Sequence, residues 1–112
     1  MKIREIRDQL YERKIRFITG NDAELARWCS QHQKDWPWNE HCYGRYFSID
    51  GIHYVMVGNR MAKTKRAATL AHEVFHLAAS VMDSVGIGLC GKSDEAWAYW
   101  IDKIYEQCFK HL

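Results

Sequence analysis

The dipeptide Asp50-Gly51 is the feature that most constrains the fold of this chain, because it lies between two runs of alternating apolar residues. Asp-Gly suits the two positive-φ positions of a type I′ turn, and a two-residue turn fixes the register of the strands that it joins. We therefore predict a β-hairpin over residues 45–57. The predicted cross-strand pairs are Ile49 with Ile52, Ser48 with His53, and Phe47 with Tyr54.

Side-chain alternation gives this hairpin one strongly apolar face and one mixed face. The apolar face is formed by Phe47, Ile49, Ile52, Tyr54 and Met56. The mixed face carries Tyr46, Ser48, His53 and Val55. We expect the apolar face to be the one that packs against the core.

The residues before the hairpin predict a helix, a strand and a second helix. Residues 1–13 carry apolar side chains at helical spacing, which predicts a short amphipathic helix. Residues 14–19 alternate and predict a strand. Asn21 or Asp22 offers an N-cap to a helix that contains Leu25. The apolar positions of the first predicted helix are Ile3, Ile6 and Leu10.

The remaining segments predict a loop before the hairpin and two longer helices after it. Residues 34–44 contain helix-breaking and aromatic residues and predict a loop. Residues 60–83 form a long helical pattern, residues 85–92 form a glycine-containing loop, and Ser93 caps a final helix of about 16 residues. We therefore predict an α+β fold, in which a small antiparallel sheet, made of the hairpin and one N-terminal strand, packs on helices.

Length and composition indicate one globular domain over residues 1–112. A single core is typical of chains of about 100–150 residues. Apolar residues make up 47% and charged residues 27%, a balance that excludes a disordered chain. The formal net charge of +2 is too small to make nucleic acid the expected partner.

The sequence also predicts a cellular location. No window approaches the roughly 18 apolar residues that a membrane span needs, and the charged N-terminal segment is not typical of a secretory signal peptide. The four cysteines are spread widely, without a C-x-x-C pair. We expect a cytoplasmic protein without a membrane partner, and a disulfide-linked protein is the alternative.

The chemistry is concentrated in the long helix, where residues 72–76 read H-E-x-x-H. His72 and His76 lie one helical turn apart, so both imidazoles can bind one zinc ion. Glu73 between them can act as a general base on water at the metal. The polar stripe of this helix comprises Thr69, His72, Glu73, His76 and Ser80, and the opposite apolar stripe comprises Leu70, Val74, Leu77, Ala78 and Val81.

A hydrolytic zinc site needs a third protein ligand and an open fourth position. Glu95 is the favoured ligand, because it shares a polar stripe of the final helix with Tyr99 and can approach the metal if the two apolar stripes share one core. The helix dipole also favours an acidic residue in a first turn without any function, so other ligands stay open. The alternatives are Asp83, Asp94, Asp102, Glu106, His111 and Cys90.

The order of hairpin, H-E-x-x-H helix, glycine-containing loop and final helix resembles the gluzincin branch of the zincin metallopeptidases. Within that branch it resembles the small zincin-like proteins encoded by phages and prophages. The resemblance rests on the H-E-x-x-H helix and on the following helix that begins Asp94-Glu95-Ala96, and it covers roughly residues 45–106. It implies that Glu73 is the general base and that the zinc ligands are His72, His76 and Glu95.

One position departs from the pattern of that family. Many gluzincins have an aspartate four residues after the ligand glutamate, where it supports a histidine, and this chain has Tyr99 there. Asp102 or Asp83 can substitute, because a histidine ligand usually needs such a partner. Peptide hydrolysis also needs an oxyanion-stabilising group, for which Tyr99 is our candidate, with His53 and Tyr46 as alternatives.

The sequence therefore predicts a zinc-dependent peptidase that acts on a peptide or protein substrate. The alternative is a non-catalytic zinc-binding phage protein that binds a host or viral protein, with Cys90 or His53 as the fourth ligand. Nucleic-acid binding is a third and weaker hypothesis, which rests on a basic cluster at the start of the long helix. That cluster comprises Arg60, Lys63, Lys65 and Arg66.

Overall fold

The computed structural model describes residues 1–112 and contains a four-stranded sheet with three helices. The strands are β1 (Lys2–Ile6), β2 (Lys14–Gly20), β3 (Gly44–Ile49) and β4 (Ile52–Gly58). The helices are α1 (Asp22–His32), α2 (Lys63–Ser84) and α3 (Asp94–Phe109). The fold is α+β, as the sequence predicts.

The hairpin of β3 and β4 has the predicted register. Asp50 and Gly51 have φ angles of 50° and 78°, the left-handed conformation that a two-residue turn of this kind requires. The cross-strand pairs are Ile49 with Ile52, Ser48 with His53, and Phe47 with Tyr54. Local turn chemistry therefore fixes this part of the sheet.

The sheet is mixed, so the predicted antiparallel arrangement is only partly right. The strand order is β1-β2-β4-β3, and β2 pairs with β4 in parallel, with Phe17 opposite Val55. The chain leaves β2 through α1 and β3 before it reaches β4, and a crossover of this length allows two strands to run in the same direction. Because β4 is central, β3 becomes an edge strand.

The predicted N-terminal helix is wrong, because residues Lys2–Ile6 form strand β1. β1 pairs antiparallel with β2, and Ile6 lies opposite Ile15. Ile6 is buried, whereas Ile3 and Leu10 are 47% and 55% exposed, so the three isoleucine and leucine positions do not form one apolar face. The buried strand β2 needs a partner on its outer edge, and this pairing with the next strand along the chain outweighs the local helical spacing.

Helix α1 has the predicted N-cap at Asn21. The Asn21 side chain accepts a hydrogen bond from the Glu24 backbone and the Glu24 side chain accepts one from the Asn21 backbone, which completes a capping box. Helix α3 follows Ser93, but the Ser93 hydroxyl makes no capping bond to the helix. It bonds instead within the preceding loop, to Gly88 and Cys90.

Both faces of the sheet are covered by helices. The face expected to be core packs with α1 in a cluster of 8 buried residues that includes Phe47, Tyr54 and Met56. The face expected to be mixed contributes Val55 and Val57 to a larger cluster of 15 buried residues beneath α2 and α3. The core is therefore larger on the side that the hairpin pattern alone does not favour.

A buried carboxylate holds the turn between β1 and β2. Asp8 is 7% exposed, and its Oδ1 atom accepts hydrogen bonds from the backbone of Leu10 and Tyr11, both at 3.1 Å. Its Oδ2 atom accepts one from the Arg13 backbone, and the Trp100 indole of α3 donates another to Oδ1 at 3.0 Å. Asp8 thus connects the first turn of the sheet to the last helix.

None of the three helices is both long and apolar enough to cross a membrane.

Replacing Asp8 with alanine is predicted to lower the free energy of unfolding by about 2–4 kcal/mol, because the buried Trp100 indole and three partly buried backbone N–H groups lose their acceptor at once. Urea denaturation followed by tryptophan fluorescence measures this change. The control is Asp35→Ala at an exposed loop position, which should stay within about 0.5 kcal/mol of the wild type. Equal stability of the two variants would contradict the structural role of Asp8.

Candidate metal centre

Helix α2 presents the H-E-x-x-H residues at the boundary between core and solvent. The predicted apolar stripe is confirmed, since Leu70, Val74 and Leu77 are fully buried. The predicted polar stripe divides into two parts. Glu73 is buried beside the sheet, whereas His72 is exposed. The helix therefore places an imidazole and a carboxylate on different sides of one boundary.

The two histidines lie at the separation that one metal ion requires. The Nε2 atoms of His72 and His76 are 3.1 Å apart. Two nitrogens that bind one tetrahedral zinc at about 2.0–2.1 Å stand about 3.3 Å apart. One ligand atom each from His72, Glu73 and His76 lies within 4.8 Å of the others. These residues, which we call the metal cluster, fit zinc in donor type and in spacing.

The Glu73 carboxyl lies in a desolvated position between α2 and β3. The residue is only 6% exposed. Burial raises the pKa of this carboxyl above its ordinary value, and the two neighbouring imidazoles and Arg45 lower it in part. A carboxylate with a raised pKa holds a proton more strongly, which suits a group that must accept one from water near neutral pH.

Gly44, the first residue of β3, makes the burial of Glu73 possible. A Cβ atom at this position would lie 2.5 Å from Cγ2 of Thr69 and 3.0 Å from Cγ of Glu73. The distance to Thr69 is shorter than real side chains show and the distance to Glu73 is very tight, so a larger residue would force Thr69 and Glu73 to shift. Gly44 therefore determines how closely the helix approaches β3.

A cleft of about 450 Å³ opens beside the metal cluster. One wall is the loop that leads into β3, and the other is a stripe of α2 that includes Glu73 and His72. The lining residues are His41, Cys42, Tyr43, Gly44, Lys65, Ala68, Thr69, His72 and Glu73. The cleft gives a ligand direct access to the buried carboxylate.

Glu95, the predicted third ligand, lies in the first turn of α3 and is exposed. It is not part of the metal cluster. The same holds for the alternative ligands, among which Cys90 bonds to Ser93 in the loop before α3. The structure thus brings three of the predicted site residues together and leaves Glu95 apart from them.

The candidates for oxyanion stabilisation lie away from the cleft. Tyr99 is 50% exposed on α3 and lines a separate cavity of about 330 Å³ with Asp8 and Trp100. Tyr46 and His53 share a hydrogen bond of 2.7 Å across the hairpin. None of these three side chains lines the cleft beside Glu73.

Sequence reasoning missed Gly44 and Tyr43 as parts of the site. The available signal was indirect: Gly44 pairs with Val57 at the open end of the hairpin, where no turn requires a glycine. A glycine in such a place often marks a close approach of another element. Which element approaches depends on tertiary packing, so the hairpin pattern alone does not identify it.

No family model, curated protein or solved structure matches this chain. The assignment of a function therefore depends on the residues and the geometry described above.

Replacing Gly44 with alanine is predicted to cost about 1–3 kcal/mol of stability, because the added methyl group overlaps Thr69 and crowds Glu73. Thermal or urea unfolding measures the loss. Gly91→Ala is the matched control, since a Cβ there meets no atom within 4 Å. If both alanine variants unfold alike, the close approach of α2 to β3 is not present in solution.

His53 provides a pH-dependent test of its structural position. Burial, with a smaller contribution from Arg13, lowers the pKa of His53 below its ordinary value. The unfolded chain therefore binds a proton at His53 more readily than the folded chain does. The free energy of unfolding is thus highest above about pH 6.5, the ordinary histidine pKa, and it decreases as the pH falls through the lower pKa of the folded state. We expect a smaller loss of stability between pH 7.5 and about 5 for His53→Gln, as measured by urea titrations. Parallel curves for the two proteins would contradict the burial of this ring.

Proposed function

We propose that this chain is a zinc-dependent peptide hydrolase, in which His72 and His76 bind the metal and Glu73 is the general base. One observation carries the proposal: two imidazole nitrogens 3.1 Å apart adjoin a buried carboxylate that faces an open cleft. A surface pair of histidines without a function would not need a desolvated carboxylate beside it.

The composition of the metal cluster favours a catalytic site over a structural one. A structural zinc site is closed by four protein ligands, whereas hydrolytic sites leave at least one position open. The cluster contains three residues, and one of them is the glutamate. Cys90 and His53, which could close a structural site, lie outside it. The cleft beside the cluster provides the space in which a substrate would bind.

The chain's own residues supply proton transfer and orientation. Zinc, when bound, acts as a Lewis acid that lowers the pKa of water and polarises a carbonyl group. Glu73 accepts a proton from the water molecule while the oxygen of that water adds to the carbonyl carbon of the peptide. When the carbon–nitrogen bond breaks, Glu73 returns the proton to the leaving amine.

The position of β3 suggests how a peptide would bind. β3 is an edge strand, and it begins at Gly44 beside Glu73. The free backbone groups of an edge strand can pair with an extended peptide. Such pairing would bring a peptide bond of the substrate close to the Glu73 carboxylate.

Two further predictions from the sequence belong to this proposal without support from the geometry. Glu95 is kept as the predicted third ligand, and Tyr99 as the predicted oxyanion-stabilising residue. We also propose the cytoplasm, that of the infected host if a phage encodes the chain, as the place of action. The assignment of Glu73, His72 and His76 does not depend on them.

Calorimetric titration of zinc tests the metal assignment. We expect one zinc per chain, and we expect His72→Ala and His76→Ala each to lower the affinity at least about 100-fold, since each removes a ligand. His111→Ala is the control, because this histidine lies outside the metal cluster and should leave the affinity unchanged. A folded wild-type protein that takes up no zinc would refute the proposal.

Glu73→Gln separates catalysis from metal binding. The amide keeps the size of the side chain but cannot accept the proton, so hydrolysis of a quenched-fluorescence peptide library should fall by about 10²–10⁴-fold. The variant should retain one zinc per chain. Unchanged hydrolysis by the zinc-loaded variant would remove Glu73 from the mechanism. No hydrolysis by the zinc-loaded wild type would favour a non-catalytic zinc protein.

A further inference from the structure

Lys65 lies at the end of the cleft away from His72. Both residues line the cleft and belong to α2. They are seven residues apart, which corresponds to about 10 Å along a helix. Lysine at this position therefore faces the space that a substrate on Glu73 would also occupy.

The Lys65 ammonium group has no anionic partner in the structure. No carboxylate lies within ion-pair distance of it. Its Nζ atom lies 4.9 Å from the centre of the Tyr43 ring, a contact that leaves its hydrogen-bond donors free. A lysine held over an aromatic ring at the wall of a cleft is positioned to bind a further group.

The neighbouring arginines do not line the cleft, and each donates to another group of the chain. Arg60 lies 3.5 Å from a carboxylate oxygen of Asp22 and donates to the Cys42 carbonyl at 3.0 Å. Arg66 donates to the carbonyl of Leu112 at 3.3 Å. Among the basic residues at the start of α2, Lys65 is thus the one that both lines the cleft and has donors available for a ligand.

Helix stability does not explain a lysine at this position. The first turn of α2 contains no acidic residue, and a cation there is disfavoured by the helix dipole. The cleft has one acidic lining residue, Glu73, and it lies eight residues further along the helix. The two ends of the cleft therefore differ in charge, which suits a ligand with an anion at one end.

We propose that Lys65 binds a carboxylate of the peptide substrate and so determines its specificity. This inference rests on the proposed function. An extended peptide advances about 3.3 Å per residue, so a separation of about 10 Å places the carboxylate two to four residues from the cleaved bond. An acidic side chain or a C-terminal carboxylate can supply the same group.

Peptide binding to zinc-loaded Glu73→Gln tests the proposal without turnover. Fluorescence anisotropy is measured with two sets of peptides that have blocked termini. One set carries a single glutamate, moved along the peptide one position at a time, and the other carries glutamine at the same positions. A third set repeats the glutamine peptides with a free C-terminus. We expect glutamate at one favoured position, or the free C-terminus, to tighten binding about 10-fold. The preference should weaken between 50 mM and 500 mM NaCl, because it is a charge interaction.

Variants of Lys65 and Lys63 show which lysine causes the preference for an acidic peptide. Lys65→Met should abolish it, and Lys65→Glu should favour peptides with lysine at the same position. Lys63→Met is the matched control: it removes a lysine from the same turn that lies 5.6 Å from the Phe109 ring and does not line the cleft. This control should keep the preference of the parent protein.

The outcomes distinguish this proposal from the proposed function. Zinc binding and peptide hydrolysis without any acidic preference would overturn the role of Lys65 alone. A preference that survives Lys65→Met, or the absence of binding by every acidic peptide, would overturn it as well.

Preference for the free C-terminus over every internal glutamate identifies the terminal carboxylate as the ligand, and the reverse identifies an acidic side chain. Loss of zinc binding by the wild type would refute the hydrolase instead, and the same peptides would still report on Lys65 in the zinc-free protein.

Discussion

The close approach of α2 to β3 at Gly44 is the contact on which the site depends. Because Gly44 has no side chain, Thr69 and Glu73 can lie directly against the first residue of the edge strand. That contact buries Glu73 on the sheet side of the helix. His72 and His76 remain exposed on the adjacent side, so one helix supplies both a desolvated base and two accessible imidazoles.

Electrostatics gives this arrangement its chemical character. A carboxylate taken out of water is a stronger base than one on the surface, and Glu73 follows this rule. The imidazoles beside it favour its charged form, and a bound cation would do so more strongly. The same packing that stabilises the fold therefore tunes the group that we propose as the base.

Features set by neighbouring residues could be predicted from the sequence. The Asp50-Gly51 turn fixed the hairpin register, and the spacing of His72 and His76 brought their nitrogens together on one helix. Periodicity also identified the buried stripe of α2, because a 22-residue helix carries a strong signal.

Features set by packing between elements could not be predicted. The local spacing of residues 1–13 predicts a helix, but the pairing of β1 with β2 outweighs that spacing. The parallel pairing of β2 with β4 depends on the path through α1. The position of Glu95 relative to the metal cluster likewise depends on how α3 packs, which no local pattern encodes.

Anomalous diffraction at the zinc absorption edge, on crystals grown with zinc, tests the central claim most directly. We expect one strong anomalous peak within bonding distance of the Nε2 atoms of His72 and His76. A structure with the same fold and no zinc at these nitrogens, or with zinc bound elsewhere, would contradict it.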